Sequence, residues 1–279
     1  ITNTLAFLET QGVVVEFCPV DDKGRVQLAE LEKLVDEDTF LVCCILANNE
    51  TGVIQDIKAV TKIAKKHGAL VLTDCVQALG KIPIDVHAWD VDYASFSAHK
   101  LYGPKGIGAL YVKQGSPFTP FLHGGHQESG LRAGTESIHN IVGFGAACQQ
   151  VDKLQAHAGE VRELKKQLIQ RLKEIKPDCV VNSPETDSDC LPNTLSISFP
   201  SVENAALMGM LDYRGIAVSA GTLCAIGCWR LGSGLSQLVR FLMLLPIIVP
   251  SVVYALGLYR YWVDLKLIEL ARTMLGRIV

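Results

Sequence analysis

The sequence predicts an α/β fold, in which a mainly parallel sheet is flanked by helices and followed by a smaller C-terminal α+β part. From residue 1 to about residue 147, short apolar runs alternate with amphipathic stretches, as expected for βαβ units. Further along, residues 193–199 (NTLSISF) alternate polar and apolar side chains. That alternation is typical of a half-buried strand in an antiparallel sheet.

The elements of the first part follow one another along the chain. Strands are predicted over residues 12–17, 40–47, 69–73, 91–97 and 107–112. Helices are predicted over residues 26–35 and 57–67, because apolar residues recur there at helical spacing. Gly68 follows the second of these helices as a C-cap.

In the second part of the chain, the sequence predicts one long helix over residues 138–176. This helix bends near Ala158 and Gly159 and ends before Pro177. Three regions are therefore expected. Residues 1–150 form part of a large domain, residues 151–226 begin a small α+β domain, and residues 227–279 are an atypical hydrophobic segment. Ile1 opens directly into an amphipathic stretch, so we expect the chain to start within a domain.

Composition narrows the function classes. The chain has 279 residues with a formal net charge of −3 and no basic cluster, which argues against a nucleic-acid partner. Its nine cysteines include no CxxC pair and no zinc-type spacing with histidine, so no metal site is predicted. An odd number of cysteines without a secretory leader predicts reduced thiols in a cytoplasmic enzyme.

Residues 241–259 carry no charge and are long enough to span a bilayer. Pro246 and Pro250 argue against a straight membrane helix. Membrane contact by this segment is thus the weaker expectation. The alternatives are a buried segment and sequence that is foreign to the domain.

Polar side chains follow two of the predicted strands directly. Asp74 and Gln77 come after one strand, and Ser97, His99 and Lys100 come at the end of another. In open α/β sheets, ligands bind at the carboxyl ends of the strands. An amine can bind an aldehyde cofactor, and a carboxylate can keep a pyridine nitrogen protonated. Taken singly, however, a strand-end lysine is usually only solvated, and an aspartate usually only forms a turn or a cap.

Five strings carry a family resemblance: LANNETGVIQDI (46–57), VLTDCVQALGKIPID (71–85), VDYASFSAHKLYGPKGIGALYV (91–112), HGGHQESGLRAGTES (123–137) and LPNTLSISF (191–199). Over residues 1 to about 226 the chain resembles the NifS/IscS cysteine desulfurases. These are class V aminotransferases of pyridoxal-phosphate fold type I, and they take sulfur from L-cysteine and leave L-alanine.

The resemblance implies a set of residues that hold pyridoxal phosphate. Lys100 would be the Schiff-base lysine, Asp74 would pair with the pyridinium nitrogen, and Gln77 and Asn49 would reach the O3′ side of the ring. The phosphate would be held by Ser97, His99 and, from the partner subunit of a homodimer, Thr135.

The resemblance also implies a catalytic cysteine. Cys224, in SAGTLCAIG, is similar to the mobile cysteine of the family, whose thiolate attacks the substrate sulfur and becomes a persulfide. His99 would shuttle a proton, and Lys100 would move the proton on the substrate Cα. A scaffold for Fe–S cluster assembly or another sulfur-acceptor protein would then take the sulfur, for clusters or for tRNA thiolation. The alternative for Cys224 is a buried cysteine with a structural role only.

The chain departs from the family at both ends. The glycine-rich phosphate loop and the ring-stacking histidine would lie before Ile1, and no arginine after residue 226 stands in the context that holds the substrate carboxylate. Two alternatives therefore stay open. One is a selenocysteine lyase, which shares most of these motifs, and the other is a catalytically inactive derivative with a binding or membrane-associated role.

Overall fold

A computed structural model describes residues 1–216 and 218–219 of the chain. Contacts group Ile1–Val202 into one compact unit, and a second unit begins at Glu203. The domain boundary near residue 150 is not tested by this division and stays a prediction.

A four-stranded sheet forms the centre of the first unit. Its strands are β1 (Leu41–Ile45), β2 (Leu70–Asp74), β3 (Tyr93–Ser97) and β4 (Gly108–Val112), in that spatial order. β1 and β3 both pair with β2 in parallel, whereas β4 pairs with β3 antiparallel. The predicted α/β class with a mainly parallel sheet is confirmed.

Helices precede, separate and follow these strands in the chain. They are α1 (Thr2–Glu9), α2 (Leu28–Leu34), α3 (Ile57–Lys66), α4 (Ile138–Cys148), α5 (Val151–Ala156) and α6 (Ala158–Ile175), with α7 (Asn204–Tyr213) in the second unit. The helix predicted over residues 57–67 is confirmed as α3. The Asp56 side chain caps its first turn by accepting from Ala59 N at 2.9 Å, and Gly68 ends it with a φ of 79°.

The core lies between the sheet and the helices α2 and α3. Val71 and Ala94 of the strands and Ala64 of α3 are fully buried. Val60 of α3 and Leu31 of α2 are 1% and 6% exposed. Burial of this apolar surface is the main stabilising contribution. It also holds β1, β2 and β3 in register, and this register positions the residues that follow them.

The strand predicted over residues 12–17 is wrong. The segment is irregular, and the side chains of Val14 and Phe17 are 87% and 65% exposed. Within the described residues no strand pairs with it. A β-branched run needs a neighbouring strand to accept its backbone hydrogen bonds, and composition alone does not provide one.

The single helix predicted over residues 138–176 is also wrong, because three helices occupy this range. Gln150 N donates three residues back, to Ala147 O, and His157 Nδ1 donates to Lys153 O at 2.7 Å. These local bonds compete with the i→i−4 ladder. The second break falls at the predicted bend near Ala158.

The antiparallel strand predicted over residues 193–199 is shorter than expected. Only β6 (Ile197–Ser198) forms, and it pairs antiparallel with β5 (Val180–Val181). Among the described residues, no helix is long and apolar enough to cross a membrane, and residues 241–259 lie outside them.

Candidate active site

The carboxyl ends of β1, β2 and β3 meet at one edge of the sheet. In the strand register Ile45 lies opposite Asp74, and Asp74 lies opposite Ser95. Leu46 N donates to Asp74 O at 2.9 Å, and Cys75 N donates to Ser95 O at 3.0 Å, so the pairing continues to the last residue of β2. The residues that follow β2 and β3 are therefore neighbours in space.

Asp74 ends β2 with a half-buried carboxylate. Its Oδ1 accepts from Val76 N at 2.9 Å, an aspartate turn that starts the hydrogen-bonded turns of residues 75–82. Within the described part of the chain, Oδ2 accepts no hydrogen bond. One carboxylate oxygen is thus committed to the fold, and the other can serve a ligand.

β3 ends in a short 3₁₀ helix, Ala98–Leu101, that carries the predicted histidine and lysine. Ala98 and Leu101 are buried, while His99 and Lys100 are exposed. Tyr102 has a φ of 62°, in the left-handed region, and this turn lets Gly103 N donate back to Ala98 O at 2.9 Å. The alternation of buried and exposed residues fixes the imidazole and the amine at the surface beside the strand end.

Ser97 and His99 form one hydrogen-bonded pair, with 2.7 Å between Ser97 Oγ and His99 Nδ1. No described residue forms a hydrogen bond or ion pair with the Lys100 ammonium. Serine, imidazole and a free amine therefore lie within four residues of chain, directly beside the end of β2.

Lys81 is a residue of this edge that sequence reasoning missed. Its Nζ donates to Gln77 Oε1 at 3.1 Å. Burial, together with the charge of Lys100, lowers the pKa of Lys81 from its ordinary value, so the two lysines lie near each other. The signal in the sequence was the spacing of four residues between Gln77 and Lys81, which brings side chains together on one helical turn.

The turn after β2 and the 3₁₀ helix after β3 are in tight contact. Gly80 has a φ of 78°, and a Cβ built on it would lie only 2.3 Å from Leu101 Cδ1. Glycine is needed at this position both for its backbone angle and for space. This contact ties the segment that holds Gln77 to the segment that holds Lys100.

The remaining predicted site residues are not joined to this edge by hydrogen bonds in the described structure. Asn49 is exposed, and it is its neighbour Asn48 that forms the turn, accepting from Glu50 N and Thr51 N at 2.9 Å each. Thr135 is exposed in the loop before α4. Cys224 lies outside the described residues. The roles of all three stay predictions.

Five of the described cysteines have a raised pKa and are not activated thiols. Burial raises the pKa of Cys44 and of Cys75 to about 12, and it also raises the pKa of Cys18, Cys43 and Cys148. Cys75, directly after Asp74, is fully buried and stays a thiol at neutral pH. Because the thiolate is the nucleophile, none of these five residues suits sulfur chemistry.

A cleft of about 480 Å³ lies away from this strand edge, between α6 and residues 184–187. Its charged side chains pair with one another, as in Lys166 with Asp187 at 2.9 Å and Lys173 with Glu185 at 3.5 Å. Mutually paired, exposed charges indicate a solvated face, and the strand edge remains the candidate site.

The donor set at the edge fits pyridoxal phosphate. The free oxygen of Asp74 can accept from a protonated pyridine nitrogen, and the Ser97 hydroxyl and His99 imidazole can donate to a phosphate. Lys100 supplies an amine for the aldehyde, and this amine has no partner among the residues that the structure describes. In the described residues, no group of three His, Cys, Asp or Glu side chains could hold a metal ion.

Relatives of known name match most of the chain. A cysteine desulfurase from a Nostoc species is 41% identical over 228 residues, covering 81% of this chain and 56% of the relative. The cysteine desulfurase IscS of Clostridium botulinum is 38% identical over 226 residues, covering 81% of this chain and 57% of the relative. The chain thus spans just over half the length of the curated relatives it matches.

A solved structure of a NifS-like protein is similar to the fold. It superposes with a TM-score of 0.75 at 44% sequence identity, covering 78% of this chain and 60% of that one. The aminotransferase class-V family matches residues 2–244. The family, the α/β architecture and the strand-edge donor set agree, and the chain belongs to the aminotransferase class-V family.

Proposed function

We propose that this chain acts as a pyridoxal-phosphate-dependent cysteine desulfurase, which transfers the sulfur of L-cysteine to Cys224 as a persulfide and releases L-alanine. The observation that carries the proposal is the position of Asp74 beside the Ser97–Lys100 segment at the ends of two neighbouring parallel strands. The similarity to cysteine desulfurases supports the same activity.

Each residue of the edge has a role that its contacts allow. When bound, pyridoxal phosphate supplies an electron sink for the bond that breaks at the substrate. Asp74 holds the proton on the pyridine nitrogen with its free oxygen, and Ser97 and His99 bind the phosphate. Lys100 anchors the aldehyde carbon and moves the proton on the substrate Cα. The exposure of His99 and Lys100 keeps both within reach of a ligand.

Sulfur transfer in this proposal depends on Cys224. Its thiolate attacks the substrate sulfur, the bond from carbon to sulfur breaks, and His99 carries the proton that the carbon product needs. The raised pKa values of the five cysteines named above leave them unsuited to this step. Cys224 is assigned by its resemblance to the mobile cysteine of the family.

The assembly is part of the proposal. Thr135 reaches the phosphate at the partner subunit's site in a homodimer, and Asn49 reaches the O3′ side of the ring. An Fe–S scaffold or another sulfur-acceptor protein takes the sulfur, and the enzyme works in the cytoplasm. Exposed apolar side chains at Phe121 (93%) and Ile138 (63%), on either side of Thr135, support a covered surface there.

The test is an absorbance spectrum of the full chain with added pyridoxal phosphate, beside the variants Lys100→Ala and Lys105→Ala. Lys105 is the matched control because it is an exposed lysine in the turn that follows. We expect a visible band in the wild type and in Lys105→Ala and none in Lys100→Ala, followed by sulfide release from L-cysteine. A folded sample without a Lys100-dependent band contradicts the proposal and favours the inactive alternative.

A further inference from the structure

Gln77 and Lys81 form a hydrogen-bonded pair, and the donor-only ammonium of Lys81 determines which end of the Gln77 carboxamide faces it. Lys81 Nζ lies 3.1 Å from one end of the Gln77 carboxamide. An ammonium has three donors and no acceptor, so only the amide oxygen can face it. The amide nitrogen, Nε2, must therefore be the end that faces away from Lys81.

The outward end of this amide is available to a ligand as far as the described residues are concerned. Among residues 1–216, no hydrogen bond involves Gln77 Nε2. Two N–H donors are thus left free on the turn that begins at Asp74, whose own Oδ2 is also free. The edge offers a donor pair and a carboxylate acceptor on consecutive hydrogen-bonded turns.

Lys81 is held in place by packing on both sides of its turn. Gly80 contacts Leu101, and a Cβ built on Gly80 would lie 3.3 Å from Leu154 of α5. Gln155 Nε2, also on α5, donates to Ile82 O at 2.9 Å. Lys81 is half-buried near Lys100, and Gln77 Oε1 is the one hydrogen-bond acceptor of its ammonium within the described chain.

We infer that Lys81 is a positioning residue that fixes the Gln77 amide so that Gln77 offers N–H donors to an anionic ring oxygen of the ligand at this edge. The inference rests on the proposed function, in which that oxygen is the ionised O3′ of pyridoxal phosphate. Lys81 touches neither ligand nor reacting atoms and acts only through Gln77. If the Gln77 amide could rotate freely, its oxygen would face the anionic oxygen of the ligand in a fraction of the molecules. If the amide were held in the reversed orientation, its oxygen would face that anion in every molecule.

Three substitutions at residue 81 distinguish an effect on the orientation of the Gln77 amide from an effect on the packing of the residue 81 side chain. Lys81→Arg keeps a donor-only group and should preserve the amide orientation. Lys81→Met keeps the apolar stem but releases the amide. Lys81→Glu supplies an acceptor, which attracts Nε2 and turns the amide oxygen toward the ligand. Lys105→Met is the control for the loss of an exposed lysine.

The first readout is the dissociation constant of pyridoxal phosphate, measured by equilibrium dialysis with the apoprotein. We expect Lys81→Arg to bind within about twofold of the wild type, Lys81→Met to bind about three- to tenfold more weakly, and Lys81→Glu to bind most weakly. Without a donor, an anionic oxygen holds a proton more strongly. The pH midpoint of the visible band should therefore rise by about 0.5–1 unit in Lys81→Met.

A double-mutant cycle with Gln77→Leu identifies the route. If Lys81 acts through Gln77, Lys81→Met should change neither the affinity nor the midpoint further in the Gln77→Leu background. Equal effects in both backgrounds overturn the inference. An unchanged midpoint in Lys81→Met overturns it as well, provided that the Lys100-dependent band is present. If Lys81→Met does not fold, Lys81→Gln takes its place with the same expected direction.

A readout without cofactor separates this inference from the proposed function. In the apoprotein, the side-chain amide resonances of Gln77, identified by their loss in Gln77→Leu, should shift in Lys81→Met and stay in place in Lys105→Met. If the wild type shows no Lys100-dependent band, the proposed function fails, while these resonances still decide the Lys81–Gln77 contact. If they do not move, the pairing itself is wrong.

Discussion

The two ends of the sheet carry the same kinds of side chain, a carboxylate near a lysine, with different consequences. At the amino end, the side chain of Asp92 is only 4% exposed, and both oxygens have partners: Lys65 and Val71 N (2.7 Å) on Oδ2, and Ser116 Oγ (2.9 Å) on Oδ1. At the carboxyl end, the side chain of Asp74 accepts from Val76 N and from no other group in the part of the chain that the structure describes. A saturated carboxylate can only stabilise the fold, whereas an unsaturated one can bind a ligand.

Strand pairing explains why Asp92 is saturated. β3 begins to pair with β2 at Tyr93, opposite Leu72, so Val71 lies one residue before the ladder. Asp92 completes it, because its own N donates to Val71 O at 3.0 Å while its side chain accepts from Val71 N. A buried backbone N–H left without a partner would be destabilising. The side chain thus replaces a missing strand residue.

The largest expected effect on stability is at this closed end. Asp92→Asn removes the negative charge that pairs with Lys65. The asparagine amide nitrogen, which is itself a donor, must then face Lys65, Val71 N or Ser116 Oγ, which are also donors. We expect the free energy of unfolding to fall by about 2 kcal/mol, measured by urea denaturation. Lys65 is 29% exposed and can turn toward water, which limits the loss.

Asp90→Asn is the matched control for that change. Asp90 pairs with Lys113, but the two side chains are 60% and 38% exposed, and asparagine tolerates the left-handed φ of 57° at this position. The expected change is within about 0.5 kcal/mol. If Asp92→Asn and Asp90→Asn lowered the free energy of unfolding equally, burial of the carboxylate would not matter to stability. The contrast drawn between the two ends of the sheet would then be wrong.

A smaller effect is expected from pH. Burial alone would raise the pKa of Asp92, but the hydrogen bonds from Lys65, Val71 N and Ser116 outweigh it and hold the pKa below its ordinary value. A carboxyl group with a lowered folded pKa stabilises the protein above its unfolded pKa of about 4, and this contribution is lost as the pH falls toward the folded pKa.

Urea unfolding between pH 6 and pH 3 checks this linkage. The difference in unfolding free energy between the wild type and Asp92→Asn should be constant above about pH 5 and should shrink as the pH falls below about 4. A difference that does not depend on pH would mean that the Asp92 carboxylate is not the group responsible.

The smallest effect on stability is expected at the open end. Asp74→Asn keeps an oxygen for Val76 N, so the unfolding free energy of the apoprotein should change by less than about 0.5 kcal/mol. Affinity for pyridoxal phosphate should instead fall about ten- to hundredfold, because the charge-assisted bond to the pyridinium nitrogen is lost. Equilibrium dialysis measures this. A large loss of stability with unchanged affinity would reverse the roles of the two ends.

The candidate site was predictable where a motif and a strand end coincide. Asp74, Ser97, His99 and Lys100 follow buried apolar runs directly, so their place at one sheet edge follows from parallel pairing. Lys81 was missed because a half-buried lysine in a turn resembles a solvated one until its contacts are known. The strand at residues 12–17 was wrong because pairing needs a second strand, which composition does not reveal.

The sequence by itself determined the α/β class, the helix at residues 57–67 with its C-cap Gly68, and the order of the chemical groups at the strand ends. Those features depend on periodicity and on neighbours a few residues apart, which a linear chain displays directly. The tertiary structure decided which carboxylate is saturated, which amide end faces Lys81, and how closely Gly80 approaches Leu101. These depend on contacts between segments far apart in the chain, and only packing brings such segments together.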